Sequence, residues 1–91
     1  MNTVPRIDNL PVGAAVLLQF GTDRFHYQAA ALFLGVTGKG DDRLARFAQV
    51  NVSDEPARVY EWEAYRYLGG WVYGSSADRL RLVAVLGNAA Q

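Results

Sequence analysis

The most chemically distinctive part of this sequence is the segment 60–73, which is rich in Tyr and Trp and also contains an arginine. Its candidate binding residues are Tyr60, Trp62, Tyr65, Arg66, Tyr67, Trp71 and Tyr73. These residue types dominate the energetic centres of protein interfaces, because they combine a large contact area with a polar group. We predict that part of this set forms a recognition surface. The alternative is that two or three of the rings belong to the core and the rest form a cross-strand aromatic ladder.

Catalytic chemistry is not predicted, because no nucleophile motif surrounds any of the serines. His26 is the only histidine, and a histidine general base also needs a nucleophile and an orienting carboxylate. We therefore expect a binding protein rather than an enzyme, without catalytic residues or a cofactor. An alternative hypothesis is a small enzyme whose site forms between subunits, for which His26, Tyr27 and Gln28 are the first residues to test.

The sequence also lacks motifs that bind metal ions or phosphate. With no cysteine and one histidine, the remaining candidate ligands are carboxylate pairs such as Asp41 with Asp42 and Glu61 with Glu63. Sites built from oxygen ligands alone need several that converge, usually in a recognisable loop, so no metal is predicted. The glycine-rich segment 35–40 lacks the spacing of a phosphate-binding loop, and we predict a hairpin loop there.

The charge balance favours a protein partner over nucleic acid. Nine basic and nine acidic residues give a net charge of zero, whereas nucleic-acid binders usually carry a basic excess. A nucleic-acid-binding small barrel therefore remains an alternative. The chain also lacks cysteine, a signal-peptide pattern and an apolar run approaching the ~20 residues of a membrane span. We expect a cytoplasmic protein without membrane contact, and the abundant alanine and arginine suggest a bacterial coding sequence.

Alternation of apolar and polar residues predicts short β-strands along most of the chain. The expected strands are residues 14–20, 25–36, 43–52, 71–73 and 79–86. The segment 37–42, with two glycines and two aspartates, is predicted as a loop. In the first strand the face of Val16, Leu18 and Phe20 is apolar, and in the last strand the even-numbered residues 80–86 share a face.

Residues 55–68 allow two interpretations. Ser53 or Asp54 could cap a helix with Pro56 in its first turn. The stretch is nevertheless rich in β-forming aromatic side chains, and its charges are spread around a helical wheel. We therefore favour a strand that turns at Gly69 and Gly70 into a hairpin.

Five or six short strands predict a mainly β protein, a small antiparallel barrel or sandwich. The order of the strands resembles that of SH3-like barrels, and this resemblance covers residues 12–86 through element order alone. The alternative fold is α+β, with one helix at about 55–68 packed on a sheet. We expect an extended N-terminal arm over residues 1–11, a single domain over 12–86 and a flexible tail over 87–91. We expect an interaction module that binds a protein partner or self-associates into a homo-oligomer, and that uses the aromatic hairpin, residues 60–73, for this contact.

Overall fold

The computed structural model describes residues 6–21, 26–51, 53, 55–67, 69–74 and 78–88, without the side chains of Asn51 and Asn88. Its six strands are β1 (Ala14–Gly21), β2 (His26–Thr37), β3 (Leu44–Asn51), β4 (Arg58–Tyr67), β5 (Gly70–Tyr73) and β6 (Asp78–Asn88). Two single turns of 3₁₀ helix, Ile7–Asn9 and Gly40–Asp42, complete the regular structure. The described residues hold no helix with the length and hydrophobicity needed to cross a membrane.

The strands form a closed antiparallel barrel in which each pairs with the next along the chain and β6 pairs with β1. The prediction of a mainly β, small SH3-like barrel is confirmed, and closure of the sheet decides between barrel and sandwich. The alternative helix is wrong for the described part of residues 55–68. There, Arg58–Tyr65 pairs with β3 and Tyr65–Tyr67 pairs with β5, so tertiary pairing and β-forming side chains prevail over the helix-capping pattern.

The barrel interior is filled by alternate residues of each strand. In β1 the predicted apolar face is the buried one, with Val16 and Leu18 fully inside and Phe20 only 3% exposed. In β3 the interior face carries Ala45 and Phe47, whereas the aliphatic even-numbered positions point outward beside Arg46. A large aromatic ring therefore takes the interior position, and the charged Arg46 stays at the surface.

The last strand does not keep one face along its whole length. Leu82 is opposite Leu18, but Ala84 is opposite Leu17, and a second shift lies between Val85 and Gly87, so the register between β1 and β6 shifts at two places. The predicted common face of the even-numbered positions therefore fails beyond the first bulge, and Leu86 is 56% exposed. Bulges of this kind increase the local twist and help a small sheet to close on itself.

The hairpin between β4 and β5 turns one residue earlier than predicted. Gly70 already belongs to β5 and pairs with Tyr67, while Gly69 occupies the connection with a φ of +77°. Leu68, which the strand pattern places on the core face, lies outside the described residues.

The segment before β1 contributes to the core. Ile7 and Leu10 are both buried, and Asp8 forms an ion pair with Arg43 next to the second 3₁₀ turn. At the other end of the chain, β6 continues to Asn88, so the predicted tail over 87–91 starts within this strand and its last three residues lie outside the described ones.

Candidate functional site: an aromatic pocket at one end of the barrel

One end of the barrel opens into a cavity of about 560 Å³, which we call the mouth pocket. In an antiparallel meander, the ends of β1, β3 and β5 lie at the same end of the barrel as the starts of β2 and β4. These strand ends supply the lining residues, which are Phe20, Tyr27, Gln49, Val50, Tyr60, Glu61, Trp62 and Tyr73. The mouth pocket therefore combines residues that are far apart in the sequence.

The aromatic rings of the mouth pocket pack against one another around Phe20. The ring centroid of Phe20 lies 4.9 Å from that of Tyr27, with nearly parallel planes, and 5.4 Å from that of Trp62. Tyr73 meets Phe20 edge-on at 5.8 Å and Trp62 at 4.7 Å. Stacked and edge-to-face pairs at these distances are favourable, so each ring limits the movement of its neighbours.

Strand alternation explains why these rings reach the mouth pocket. Ala45 and Ala64 are opposite each other and fully buried, which leaves room for the Phe47 ring on the same interior face. Trp62 comes two residues before Ala64 and stacks on Phe47 with a centroid distance of 4.7 Å. The pocket wall is thus an extension of the hydrophobic core, anchored at its base by Phe47.

Carboxylates accompany the aromatic rings at this end of the barrel. Glu61 lines the mouth pocket, and its carboxylate lies 3.5 Å from the guanidinium of Arg46. Both side chains are largely exposed, so solvent screens this ion pair and it contributes little to stability. Asp78 is opposite Tyr73 and two residues before the buried Leu80, which places its side chain on the interior face beside the tyrosine.

The predicted binding residues divide between different parts of the fold. Tyr60, Trp62 and Tyr73 lie together in the mouth pocket. Phe20 was not among the residues predicted to form a site, and Tyr27 was named only for the alternative of an enzyme. Both line the mouth pocket, and they pair directly with each other across β1 and β2. Both residues are aromatic, and they lie on either side of the first predicted turn. This was a usable signal for the pocket, provided that the turn and the start of β4 are assigned to the same end of the barrel.

The other predicted binding residues lie outside the mouth pocket. Trp71 is buried in the core, and Arg66 places its guanidinium carbon 5.2 Å from the centre of the Trp71 ring. Tyr65 is half-buried and donates its hydroxyl hydrogen to the carbonyl oxygen of Gly74 at 3.2 Å. Tyr67 is 54% exposed. The aromatic hairpin is therefore not one continuous surface.

A second exposed feature lies on the outside of the barrel. Outward positions of β1 to β4 carry a patch of aliphatic side chains, which we call the outer apolar face. Its members are Ala15, Ala30, Leu32, Ala48, Val50 and Val59. Leu32 is opposite both Ala15 and Ala48, and Val50 is opposite Val59, so these side chains are neighbours across four strands.

The mouth pocket has the composition of a binding site. It presents aromatic faces, hydroxyl and amide groups and a carboxylate, and its lining includes no histidine. The described residues contain no group of three or more side chains suited to hold a metal ion. Comparison of the chain with protein-family models, curated proteins and solved structures gives no match.

Proposed function

We propose that this chain is a small binding module that takes a side chain of a protein partner into the mouth pocket. The observation that carries the proposal is the concave lining of five aromatic side chains, Phe20, Tyr27, Tyr60, Trp62 and Tyr73. A cavity of about 560 Å³ is large enough to enclose one projecting side chain and its neighbours. The proposed site is therefore smaller and more sharply defined than the whole aromatic hairpin that the sequence predicted.

Rigidity supports this proposal. Phe20 is only 3% exposed and touches three of the other rings, while Tyr27 is stacked on it and remains 56% exposed. A wall that is already ordered loses little conformational entropy when a partner binds. Tyrosine also suits such a position, because its ring gives apolar contact and its hydroxyl can bond to the partner.

The charges near the mouth pocket favour a partner segment that carries arginine or lysine. Aromatic faces attract cations, and the carboxylates of Glu61 and Asp78 lie at the same end of the barrel. The same carboxylates disfavour a phosphate backbone, which is why we place nucleic acid behind protein as a partner of this pocket. The lack of cysteine fits a reducing compartment, and we place the protein in the cytoplasm.

The proposal is tested by selecting short peptides from a random displayed library against the purified protein. Affinities of the selected peptides are then measured by calorimetry for the wild type and for two tyrosine variants. Tyr27→Ala removes a ring from the mouth pocket, whereas Tyr67→Ala removes a ring of nearly equal exposure, 54% against 56%, from outside it. The two variants are therefore a matched pair.

We expect Tyr27→Ala to weaken peptide binding about tenfold or more, since aromatic residues at the centre of an interface contribute most of its affinity. Tyr67→Ala should change the affinity less than about twofold, because single contacts away from such a centre are close to neutral. If Tyr67→Ala weakens the binding of the selected peptides and Tyr27→Ala does not, the binding site lies on the outer face of the hairpin instead.

Self-association is a second candidate function, and it is favoured by the outer apolar face. Val59 and Val50 are 66% and 54% exposed and are opposite each other on adjacent strands. Beside them, Arg46 forms ion pairs with Glu61 at 3.5 Å and with Glu63 at 3.9 Å, and these side chains make a row that carries both signs of charge. A second copy related by a two-fold axis meets opposite charges along such a row, so we propose a homodimer through this face.

A further inference from the structure

Arginines converge on a second cavity, at the end of the barrel where β4 turns into β5. This cavity of about 280 Å³ is lined by Arg6, Arg66 and Arg81, with Trp71 and Gly70 among its other walls. We call it the arginine pocket. It shares no lining residue with the mouth pocket, and the proposed binding of a protein side chain leaves it unexplained.

Arg66 is held in a defined position within the arginine pocket. Its guanidinium lies over the ring of Trp71, 5.2 Å from the ring centroid, and the two residues are directly opposite each other in the hairpin. A guanidinium that lies over an aromatic ring makes this contact with its own planar face. The N–H donors at the edge of the guanidinium therefore stay available for other groups. The indole thus fixes a donor group that is suited to bidentate binding.

One of these donors lacks a partner. The Nε atom of Arg66 is buried and forms no hydrogen bond. Buried polar groups in native proteins are almost always hydrogen-bonded, because an unsatisfied one costs free energy. Because the atom is also closed to solvent, an acceptor in the arginine pocket would satisfy it after a small movement of the Arg66 side chain.

The charge of the arginine pocket is also uncompensated. None of its three arginines takes part in an ion pair among the described residues, whose ion pairs involve Arg43 and Arg46 instead. No carboxylate belongs to the described lining of the cavity. Three positive charges in one small cavity repel one another, and an anion bound between them would relieve that repulsion.

We propose that the arginine pocket binds a phosphate-type oxyanion, either free phosphate or the phosphate group of a monoester. Arginine is the side chain whose planar donors best match phosphate oxygens. A phosphate group carries more negative charge than a carboxylate and more acceptor oxygens, which matches three arginines better.

The test is a titration of the ¹⁵N-labelled protein with inorganic phosphate and, separately, with phenyl phosphate, at constant ionic strength set by chloride. The Nε–H signal of Arg66 reports on the buried donor directly. We expect this signal to move and saturate with at least one of the two anions. Saturation by phosphate alone identifies free phosphate as the ligand, whereas tighter binding of phenyl phosphate identifies a phosphomonoester.

Variants give the test its control. Arg66→Gln is expected to weaken phosphate binding about tenfold or more, because it removes charge-assisted hydrogen bonds. Arg66→Lys keeps the charge and should still weaken binding, because lysine has no planar pair of donors. Arg81→Gln replaces an exposed residue of the same cavity, and its phosphate affinity is the test if the Arg66 variants do not fold. Arg58→Gln, an exposed arginine outside this cavity, should leave the affinity unchanged.

The proposal fails if the Arg66 signal moves linearly without saturation for both anions. It also fails if Arg81→Gln and Arg58→Gln weaken binding equally, since that result means only general attraction to a basic surface. Binding of a single-stranded oligonucleotide without any response to phosphate or phenyl phosphate would overturn it in favour of a nucleic-acid interface.

Discussion

Phe47 connects the hydrophobic core with the mouth pocket. Its side chain is fully buried, with Phe33 at a centroid distance of 5.6 Å on one side and Trp62 at 4.7 Å on the other. Trp62 in turn contacts Phe20 and Tyr73. Through this series of contacts, the position of the pocket wall depends on a residue that a bound partner never touches.

Replacing Phe47 therefore affects both stability and binding. Phe47→Ala should lower the free energy of unfolding by about 3–5 kcal/mol, because it removes a buried ring and leaves a cavity. Urea denaturation followed by far-UV circular dichroism measures this change. The control is Val50→Ala at a position 54% exposed, which should shift stability by no more than ~0.5 kcal/mol. Equal effects of the two substitutions would contradict the assigned interior face of β3.

The residue types of the mouth pocket were predictable, but their grouping was not. Tyr60, Trp62 and Tyr73 stand out in the sequence because aromatic residues are concentrated there. Phe20 and Tyr27 lie outside this concentration, and only their places on either side of the first predicted turn indicate that they belong together. Their role depends on barrel closure, which brings strand ends together through contacts that no local pattern encodes.

Gly35 is the point at which β2 curls. The register between β2 and β3 passes from Phe33 opposite Phe47 to Gly35 opposite Arg46, so one residue of β2 is extra. Gly35 has a φ of +124°, a conformation that side chains other than glycine rarely adopt. A glycine in the middle of a strand pattern is typical of such a bulge.

The effect of the unusual φ at Gly35 can be separated from the effect of adding a side chain by a comparison with Gly87, which also lies in a strand. A Cβ added at Gly35 meets only Val12, at an ordinary distance of 3.6 Å, and one added at Gly87 meets nothing within 4 Å. Gly35→Ala should destabilise the protein by about 1–3 kcal/mol, since the required φ stays unfavourable for alanine. Gly87→Ala should change stability by less than about 1 kcal/mol. Thermal and urea unfolding provide the comparison, and a neutral Gly35→Ala would mean that β2 does not depend on this φ.

The strands themselves could be placed from the sequence, because alternation and turn residues are local signals. Which face of a strand points inward was harder to predict for β3 and β6. In β3 one aromatic residue outweighs several aliphatic ones, and in β6 a bulge exchanges the faces part of the way along. Both outcomes depend on packing against other strands, so neither follows from the segment alone.

The protein as a whole carries no net charge, so two copies do not repel each other at neutral pH. The outer apolar face then offers a surface for self-association, as proposed above. Val59 lies in this face, and Val12 does not, although both are 66% exposed. The two valines therefore allow a controlled test of the homodimer.

Val59→Lys should shift the protein to the mass of a single 10.0 kDa chain, because it places a charge within the apolar contact. Val12→Lys should leave the wild-type mass, expected to be that of a dimer. Light scattering during size-exclusion chromatography measures both masses over a range of concentrations. A wild-type protein that remains at 10.0 kDa at high concentration rules out the homodimer.

The two tryptophans mark different cavities of the same barrel. Trp62 lines the mouth pocket, and Trp71 lines the arginine pocket beneath Arg66. Each indole N–H gives its own signal in a ¹⁵N spectrum, so one sample reports on both cavities without any substitution. Binding at one cavity is thereby distinguished from binding at the other and from general changes in the fold.

The first measurement is the ¹⁵N spectrum of these two indole groups during titration with a peptide selected for binding. If the mouth pocket is the binding site, the Trp62 signal shifts and saturates at the affinity found by calorimetry, while the Trp71 signal stays in place. A saturating shift of Trp71 with an unchanged Trp62, or no shift of either signal at saturating peptide, would contradict binding at the mouth pocket.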